Sequence, residues 1–254
     1  MKWLLLLTII LFISGCSVTS VTDRPTFGTI KLVIIFPQSD KLIPPGTNSF
    51  GVRIWRVDNK QVIFSNYFDG VTEVTIFIPP GTYNVDVYPS SYNGYIRDWL
   101  GFGRASNVIV MPNQTTQCVI TVEPLTFDLT QAPTEIVGDG LDHGFVSTLR
   151  VPDGFFDNAT ITKVEFCLKQ DGPFTTSLIL GVVKSTNVDI HQDGTALTFV
   201  ATCTIPTVQE EKTWYWCFNV VTNIEDYLHI PPVTLNGGAS LTILPGSTIT
   251  IIIQ

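Results

Sequence analysis

Residues 89–104, PSSYNGYIRDWLGFGR, hold the densest group of side chains that can bind a ligand, in a stretch too long for a simple hairpin turn. The ligand-binding candidates are Tyr92, Tyr95, Arg97, Trp99 and Phe102. Flat rings beside charged groups suit a sugar or a protein partner, because the rings stack while the charges bind hydroxyls or main chain. Alternatively, the rings fold inward to cap a domain or seal a domain interface. We expect this stretch to project from its domain or to dock on the next one, with Trp99 as the anchor.

Four cysteines follow the N-terminal segment, and none of them forms a Cys-x-x-Cys motif: Cys118, Cys167, Cys203 and Cys217. If residues 196–205 and 213–221 pair as a hairpin, Cys203 and Cys217 face one another and can form a disulfide bond. The alternative is that they are two small buried apolar side chains.

Short motifs of known enzyme classes are absent from the sequence, which also contains only three histidines. Two acidic stretches, Asp139 to His143 and Asp189 to Asp193, contain a histidine, but their glycines favour ordinary turns over metal sites. We therefore expect no metal, no cofactor and no enzymatic activity. The alternative is an extracytoplasmic hydrolase that uses carboxylates which the sequence alone does not pair.

The N-terminus has the features of a targeting segment. Lys2 precedes an apolar run that is shorter than the roughly 20 residues of a spanning helix, and the sequence Ile-Ser-Gly-Cys ends at Cys16. This pattern resembles a bacterial lipoprotein signal peptide. The resemblance implies cleavage after residue 15, acylation of Cys16 with palmitate or a similar chain, and anchoring to a membrane. Ser17 in place of Asp implies the outer membrane or the cell surface.

Composition limits the class of protein. The formal net charge is −8 with no basic block, so a polyanion would be repelled and we exclude nucleic acid as a partner. Only 14% of residues are charged, and β-branched residues, Gly and Pro are abundant, which favours an all-β fold. Residues 16–26 are polar and short, as expected for a flexible tether.

Residues 27–124 contain seven strand-length apolar runs separated by turn residues, which predicts an immunoglobulin-like β-sandwich. In one run, apolar Tyr83, Val85 and Val87 alternate with Asn84 and Asp86, so we expect one buried and one wet face. The segments IPPGTYNVDVYP and VIVMPNQTTQCVITV resemble the prealbumin-like or carboxypeptidase-regulatory-like sandwich family. This resemblance implies binding or spacing more than catalysis.

The pattern of residues 125–254 predicts a second β-sandwich, either a duplicate of the first or a jelly roll. Its predicted strands are residues 146–151, 160–168, 177–184, 196–205, 213–221, 240–244 and 248–253. If Trp214, Trp216 and Phe218 face the core, Tyr215 lies on the opposite face.

These features together predict a membrane-anchored surface or periplasmic lipoprotein with a non-catalytic binding or structural role. Its partners would be the membrane, through Cys16, and a glycan or an envelope protein. One alternative is a carbohydrate-binding accessory lipoprotein, which requires an exposed aromatic platform; the other is the hydrolase.

Overall fold

The computed structural model describes residues 26–36, 46–94, 96–157, 160–170, 172, 174, 183–185, 188–223, 227–233 and 237–246. The predicted signal peptide, Cys16 and Tyr95 lie outside these residues, as does the strand predicted at 248–253.

The described residues of the first half of the chain form nine strands: β1 (Gly28–Ile35), β2 (Ser49–Arg56), β3 (Val62–Asp69), β4 (Glu73–Ile78), β5 (Gly81–Tyr92), β6 (Arg97–Trp99), β7 (Gly101–Val110), β8 (Thr115–Thr121) and β9 (Glu123–Pro124). Strands β4, β1 and β8 form one sheet in that order, in which β1 and β8 are parallel. The facing sheet has the order β3-β2-β5-β7-β9, and β6 pairs with the end of β5. Each of the seven runs predicted here overlaps a strand.

Alternation of apolar and polar residues explains the packing of this first pair of sheets. Ile30 and Leu32 on β1 are fully buried, as are Val85 and Val87 on β5. Tyr83 is also buried, and its hydroxyl donates a hydrogen bond of 2.6 Å to the carbonyl of Pro79. These side chains form one apolar core between the two sheets.

The second half of the described chain forms ten strands: β10 (Thr126–Asp128), β11 (Glu135–Gly138), β12 (Asp142–Arg150), β13 (Ile161–Lys169), β14 (Val183–Ser185), β15 (Val188–Asp193), β16 (Ala196–Thr204), β17 (Lys212–Thr222), β18 (Tyr227–Ile230) and β19 (Ala239–Pro245). One sheet has the order β10-β12-β16-β15. The other has the order β11-β19-β17-β13-β14, and β18 pairs with β17. In this second sheet, β11 and β19 are parallel.

Large aromatic side chains fill the core between the second pair of sheets. Phe145 on β12 lies 4.4 Å from Phe166 on β13, and Phe199 on β16 lies 5.6 Å from Phe218 on β17, measured between ring centroids. Trp214 and Trp216 are buried in the same core, whereas Tyr215 is half-buried on the other face of β17. The predicted all-β fold of consecutive sandwiches is therefore confirmed, and both tryptophans face the core.

Two expectations about local structure are wrong. The hairpin of residues 196–205 and 213–221 does not form, because β16 pairs with β12 and β15 in one sheet while β17 belongs to the other. Cys203 and Cys217 consequently lie in different sheets, and both are free thiols. The face of β5 that was expected to be exposed to solvent is partly buried, since Asp86 is fully buried.

Candidate functional site

Residues 89–94 and 96–104 comprise the end of β5, strand β6 and the start of β7, and we call them the arm. Strand β6 folds back on β5, so that Ser90 lies opposite Trp99 and Tyr92 lies opposite Arg97. The turn between them is held by the side chain of Asn93, whose oxygen accepts a hydrogen bond of 3.0 Å from the backbone N–H of Ile96. The short strand β6 was not predicted from the sequence.

The aromatic rings of the arm face inward. Trp99 and Phe102 are each only 1% exposed. The ring centroid of Trp99 lies 4.6 Å from that of Tyr88 and 5.6 Å from that of Phe155. The rings of Phe102 and Phe155 are 5.5 Å apart and nearly perpendicular, an edge-to-face geometry that aromatic pairs favour.

Phe155 belongs to the connection between β12 and β13, so these contacts join the two pairs of sheets. We call this group the aromatic seal; it comprises Tyr88, Trp99, Phe102 and Phe155. Of the two alternatives for Trp99 and Phe102, the structure has the inward one, and the arm docks on the second half of the chain with Trp99 at its centre. Neither ring leaves a face open for stacking on a sugar.

An ion-pair network lies beside the aromatic seal. Asp86 on β5 is directly opposite Arg104 on β7. One carboxylate oxygen of Asp86 accepts a hydrogen bond of 2.6 Å from Arg104 Nε, and the other accepts bonds of 2.9 Å from Arg104 Nη2 and from Trp55 Nε1. Burial lowers the pKa of Arg104, but the hydrogen bonds and charges of Asp86 and Asp157 offset this effect and raise it overall, so the guanidinium remains charged.

The same guanidinium reaches the second half of the chain. Nη1 of Arg104 donates a hydrogen bond to the carboxylate of Asp157, which follows Phe155 in the β12–β13 connection. Gly154 in that connection has a φ of +79°, and a Cβ at this position would collide with Arg104 Nη1. A glycine is therefore required both by the backbone conformation and by the close approach of the arginine.

Tyr92 and Arg97 are not part of the aromatic seal and lie nearer the turn of the arm. The guanidinium carbon of Arg97 lies 3.8 Å from the ring centroid of Tyr67 and 4.4 Å from that of Tyr92, in cation–π contact with both. Arg97 also donates a hydrogen bond to the hydroxyl of Ser49. The sequence-predicted candidates are thus divided between two places: Trp99 and Phe102 in the junction, Tyr92 and Arg97 in a half-exposed stack. Tyr95 lies outside the described residues.

A cleft of about 450 Å³ opens next to the network, between the two pairs of sheets. Its lining includes Phe102 and Arg104 from β7, Glu123 from β9, Asp153 from the β12–β13 connection and Thr195 from the β15–β16 turn. The cleft combines carboxylates and a hydroxyl with a buried ring, and both halves of the chain contribute. Glu123 and Asp153 were not predicted as site residues, because they are far apart in the chain and belong to no motif.

The histidine-containing stretch at residues 139–143 forms local hydrogen bonds. The same oxygen of Asp139 accepts a bond of 2.9 Å from the N–H of Leu141 and lies 3.0 Å from Nε2 of His143. The contact with His143 is the largest cause of a lowered pKa of Asp139, followed by the Leu141 bond. Within the described part of the chain, no three His, Cys, Asp or Glu side chains are grouped so as to hold a metal ion.

No protein-family model matches the chain, and no curated protein matches it. A DUF3823 family protein from Bacteroides ovatus is similar in structure at 12% identity, covering 87% of this chain and 100% of its own, with a TM-score of 0.30. The major pilin subunit BcpA of Bacillus cereus is 9% identical over 86% of this chain and 69% of its own, with a TM-score of 0.30. Values this low do not assign the chain to either protein's family.

The first test concerns the aromatic seal. Trp99→Ala should lower the free energy of unfolding by about 3–5 kcal/mol, because it leaves a cavity among Tyr88, Phe102 and Phe155. Phe77→Ala is the matched control, since Phe77 is 71% exposed, and it should change stability by less than about 0.5 kcal/mol. Urea unfolding followed by fluorescence measures both. Equal effects of the two substitutions would mean that Trp99 is not the anchor.

The second test concerns the buried charge. Asp86→Ala should lower the free energy of unfolding by about 3–5 kcal/mol, because Arg104 would lose its bidentate partner in a buried position. The double variant Asp86→Ala with Arg104→Met should recover part of this loss, since no uncompensated charge remains. Glu73→Ala, which breaks the exposed Lys31–Glu73 pair, is the control and should cost about 0–1 kcal/mol. If Asp86→Ala lowered the free energy of unfolding no more than Glu73→Ala does, the buried ion pair would not have the structural role described.

Proposed function

We propose that the protein is a lipid-anchored lipoprotein of the cell envelope, whose two β-sandwich domains act as one rigid, non-catalytic unit that binds or spaces a partner outside the membrane. In this proposal residues 27–124 and 125–254 are the two domains, and residues 16–26 connect them to the membrane. The observation that carries the structural part of the proposal is the aromatic seal.

Several interactions of different kinds meet at this junction. Burying one aromatic ring contributes roughly 1.5–3 kcal/mol, and the seal buries Trp99 and Phe102 from one side and Phe155 from the other. Arg104 restricts how the two sandwiches are oriented, because its bonds to Asp86 and Asp157 are satisfied only in one relative orientation. A joint held in this way resists bending, which suits a spacer or a presenting platform.

The anchoring part of the proposal rests on the sequence around Cys16. The apolar run followed by Ile-Ser-Gly-Cys is the supporting observation, together with the polar stretch that follows it. Two or three acyl chains hold a protein on a bilayer far longer than one chain does, because each buried methylene contributes about 0.8 kcal/mol. Among the residues that the structure describes, no helix has the length and apolarity to span a membrane.

The second candidate function is carbohydrate binding in the cleft beside Arg104. Its volume of about 450 Å³ is in the range of ligand sites, and its carboxylates and Thr195 hydroxyl are groups that hydrogen-bond sugar hydroxyls. This version places the ligand in the junction instead of on an aromatic platform, because Trp99 and Phe102 are buried. Binding there would depend on Glu123 and Asp153.

The anchor is tested by labelling with palmitate in a bacterium that processes lipoproteins. The full chain should incorporate label and sediment with membranes, and Cys16→Ala should do neither, since it removes the acceptor thiol. Cys203→Ala is the matched control and should keep the label, because Cys203 is buried within β16. Label that persists in Cys16→Ala would refute lipid anchoring at this residue.

The cleft is tested by applying the purified full chain to an array of glycans. We expect retention on at least one glycan, and a loss of at least about tenfold in affinity for Glu123→Ala with Asp153→Ala, as expected when two hydrogen bonds from charged groups to a ligand are removed. Glu210→Ala with Glu211→Ala removes the same charge from an exposed turn and should bind normally. Retention on no glycan would refute the second candidate, and release of cleaved sugar would reassign the cleft to a hydrolase.

A further inference from the structure

Two cysteines are paired across neighbouring strands of the second domain. In the antiparallel pair formed by β13 and β17, Cys167 is directly opposite Cys217. Residues in this relation have Cα atoms about 4.5–5.5 Å apart, and their side chains project from the same face of the sheet. Disulfide bonds join Cα atoms about 4.4–6.8 Å apart, so the backbone already has the spacing that a bond requires.

The surroundings of the pair keep the thiols together. Both side chains are fully buried in a small apolar cluster that includes Ile96 of the arm, Phe174 and Val233. The same cluster keeps both thiols out of contact with solvent. The pair therefore lies where the arm of the first domain covers the outer face of the β13–β17 pair.

The other described cysteines do not have such a partner. Cys118 lies on β8 in the first domain, and Cys203 lies on β16 opposite His143. Burial raises the pKa of the Cys118 thiol to about 11, which suppresses its thiolate and its reactivity at neutral pH. Of the four cysteines that the structure describes, only Cys167 and Cys217 face each other across a strand pair.

We propose that Cys167 and Cys217 form a cross-strand disulfide bond when the chain folds in the presence of a small-molecule or protein disulfide oxidant. The two thiols release two protons and two electrons as the sulfur–sulfur bond forms. The oxidant's own disulfide accepts both electrons and both protons and leaves as two thiols, through a mixed disulfide with one of the two cysteines. Export from the cytoplasm, which is part of the proposed function, would supply such an oxidant; the geometry of the pair does not depend on it.

The bond forms during folding and is slow to form or break afterwards. Burial raises the pKa of Cys217 well above its ordinary value, and the neighbouring Cys167 and the charge of Asp98 raise it further. The attacking species in exchange is the thiolate, which these surroundings disfavour in the folded chain. Once formed, the bond is shielded from reductants by Ile96 and its neighbours, and it holds β13 against β17 beneath the docked arm.

Refolding tests the proposal directly. The full chain, solubilised in mild detergent and denatured under reducing conditions, is refolded either with a mixture of reduced and oxidised glutathione or with reductant alone. Free thiols are alkylated after acid quenching, and the chain is digested with trypsin. Cleavage after lysine and arginine puts Cys118, Cys167, Cys203 and Cys217 on four different peptides, with Cys167 in residues 164–169 and Cys217 in residues 213–254.

We expect the oxidised sample to contain peptides 164–169 and 213–254 joined by a disulfide, while Cys118 and Cys203 are alkylated. The melting temperature should exceed that of the reduced sample by roughly 5–15 °C, as for a bond that closes a loop of this size. Cys118→Ala and Cys203→Ala are matched controls and should retain the linked peptides. Complete alkylation of Cys167 and Cys217 in the oxidised sample, or a bond from either of them to Cys203, would overturn the proposal.

A separate comparison addresses the timing of the reaction. The same glutathione mixture added to the folded, reduced chain should yield linked peptides at least about tenfold more slowly than during refolding, because the buried thiols exchange slowly. Equal rates would overturn the inference that the bond forms during folding. Neither result depends on whether Cys16 is lipidated, so the failure of this proposal is distinguishable from the failure of the proposed function.

Discussion

A carboxylate without access to water needs hydrogen-bond donors and an opposite charge, and Asp86 is such a group. Trp55 on β2 and Arg104 on β7 supply both, from the two strands that flank β5. The requirement fixes the three strands in one register. It also fixes the direction of the arginine side chain, whose remaining donor atom then meets Asp157 of the other domain. The charge balance inside one sandwich thus determines where the second one attaches.

Apolar and polar interactions have different effects at this junction. Phe102 and Arg104 are two residues apart on β7 and therefore point to the same side, which places a ring and a cation at the same interface. The guanidinium carbon of Arg104 lies 5.3 Å from the ring of Phe102 and 5.2 Å from the ring of Trp55. Burial of the rings supplies most of the free energy that holds the sandwiches together, since this energy depends on the apolar area buried and little on the angle between the sandwiches. The bidentate ion pair restricts the angle between the two sandwiches, because its hydrogen bonds tolerate little rotation.

The sequence predicted the strands and their inward faces well, since alternation such as Tyr83, Val85 and Val87 is a local signal. It did not predict which strands are neighbours. The sequences of apolar strands such as β16 and β17 do not specify which strands they pair with. The expected Cys203–Cys217 hairpin was therefore wrong, and the residue opposite Cys217 is Cys167. The same limit applies to the candidate site. The aromatic stretch was found from its composition, but its partner Phe155 and the buried state of Asp86 depend on tertiary contacts that no local pattern records.

The parallel pairing of β1 with β8, and of β11 with β19, has a consequence for the timing of biosynthesis. Thr29 pairs with Thr115 and Glu135 with Thr242, so one sheet of each sandwich is complete only after a strand from late in that sandwich has been made. Contacts of such long sequence separation make folding slow. A chain that emerges from its N-terminus cannot complete its first sandwich until residues 115–121 have been synthesised. The β4–β1 pair must therefore form its apolar face before the strand that completes the sheet is present.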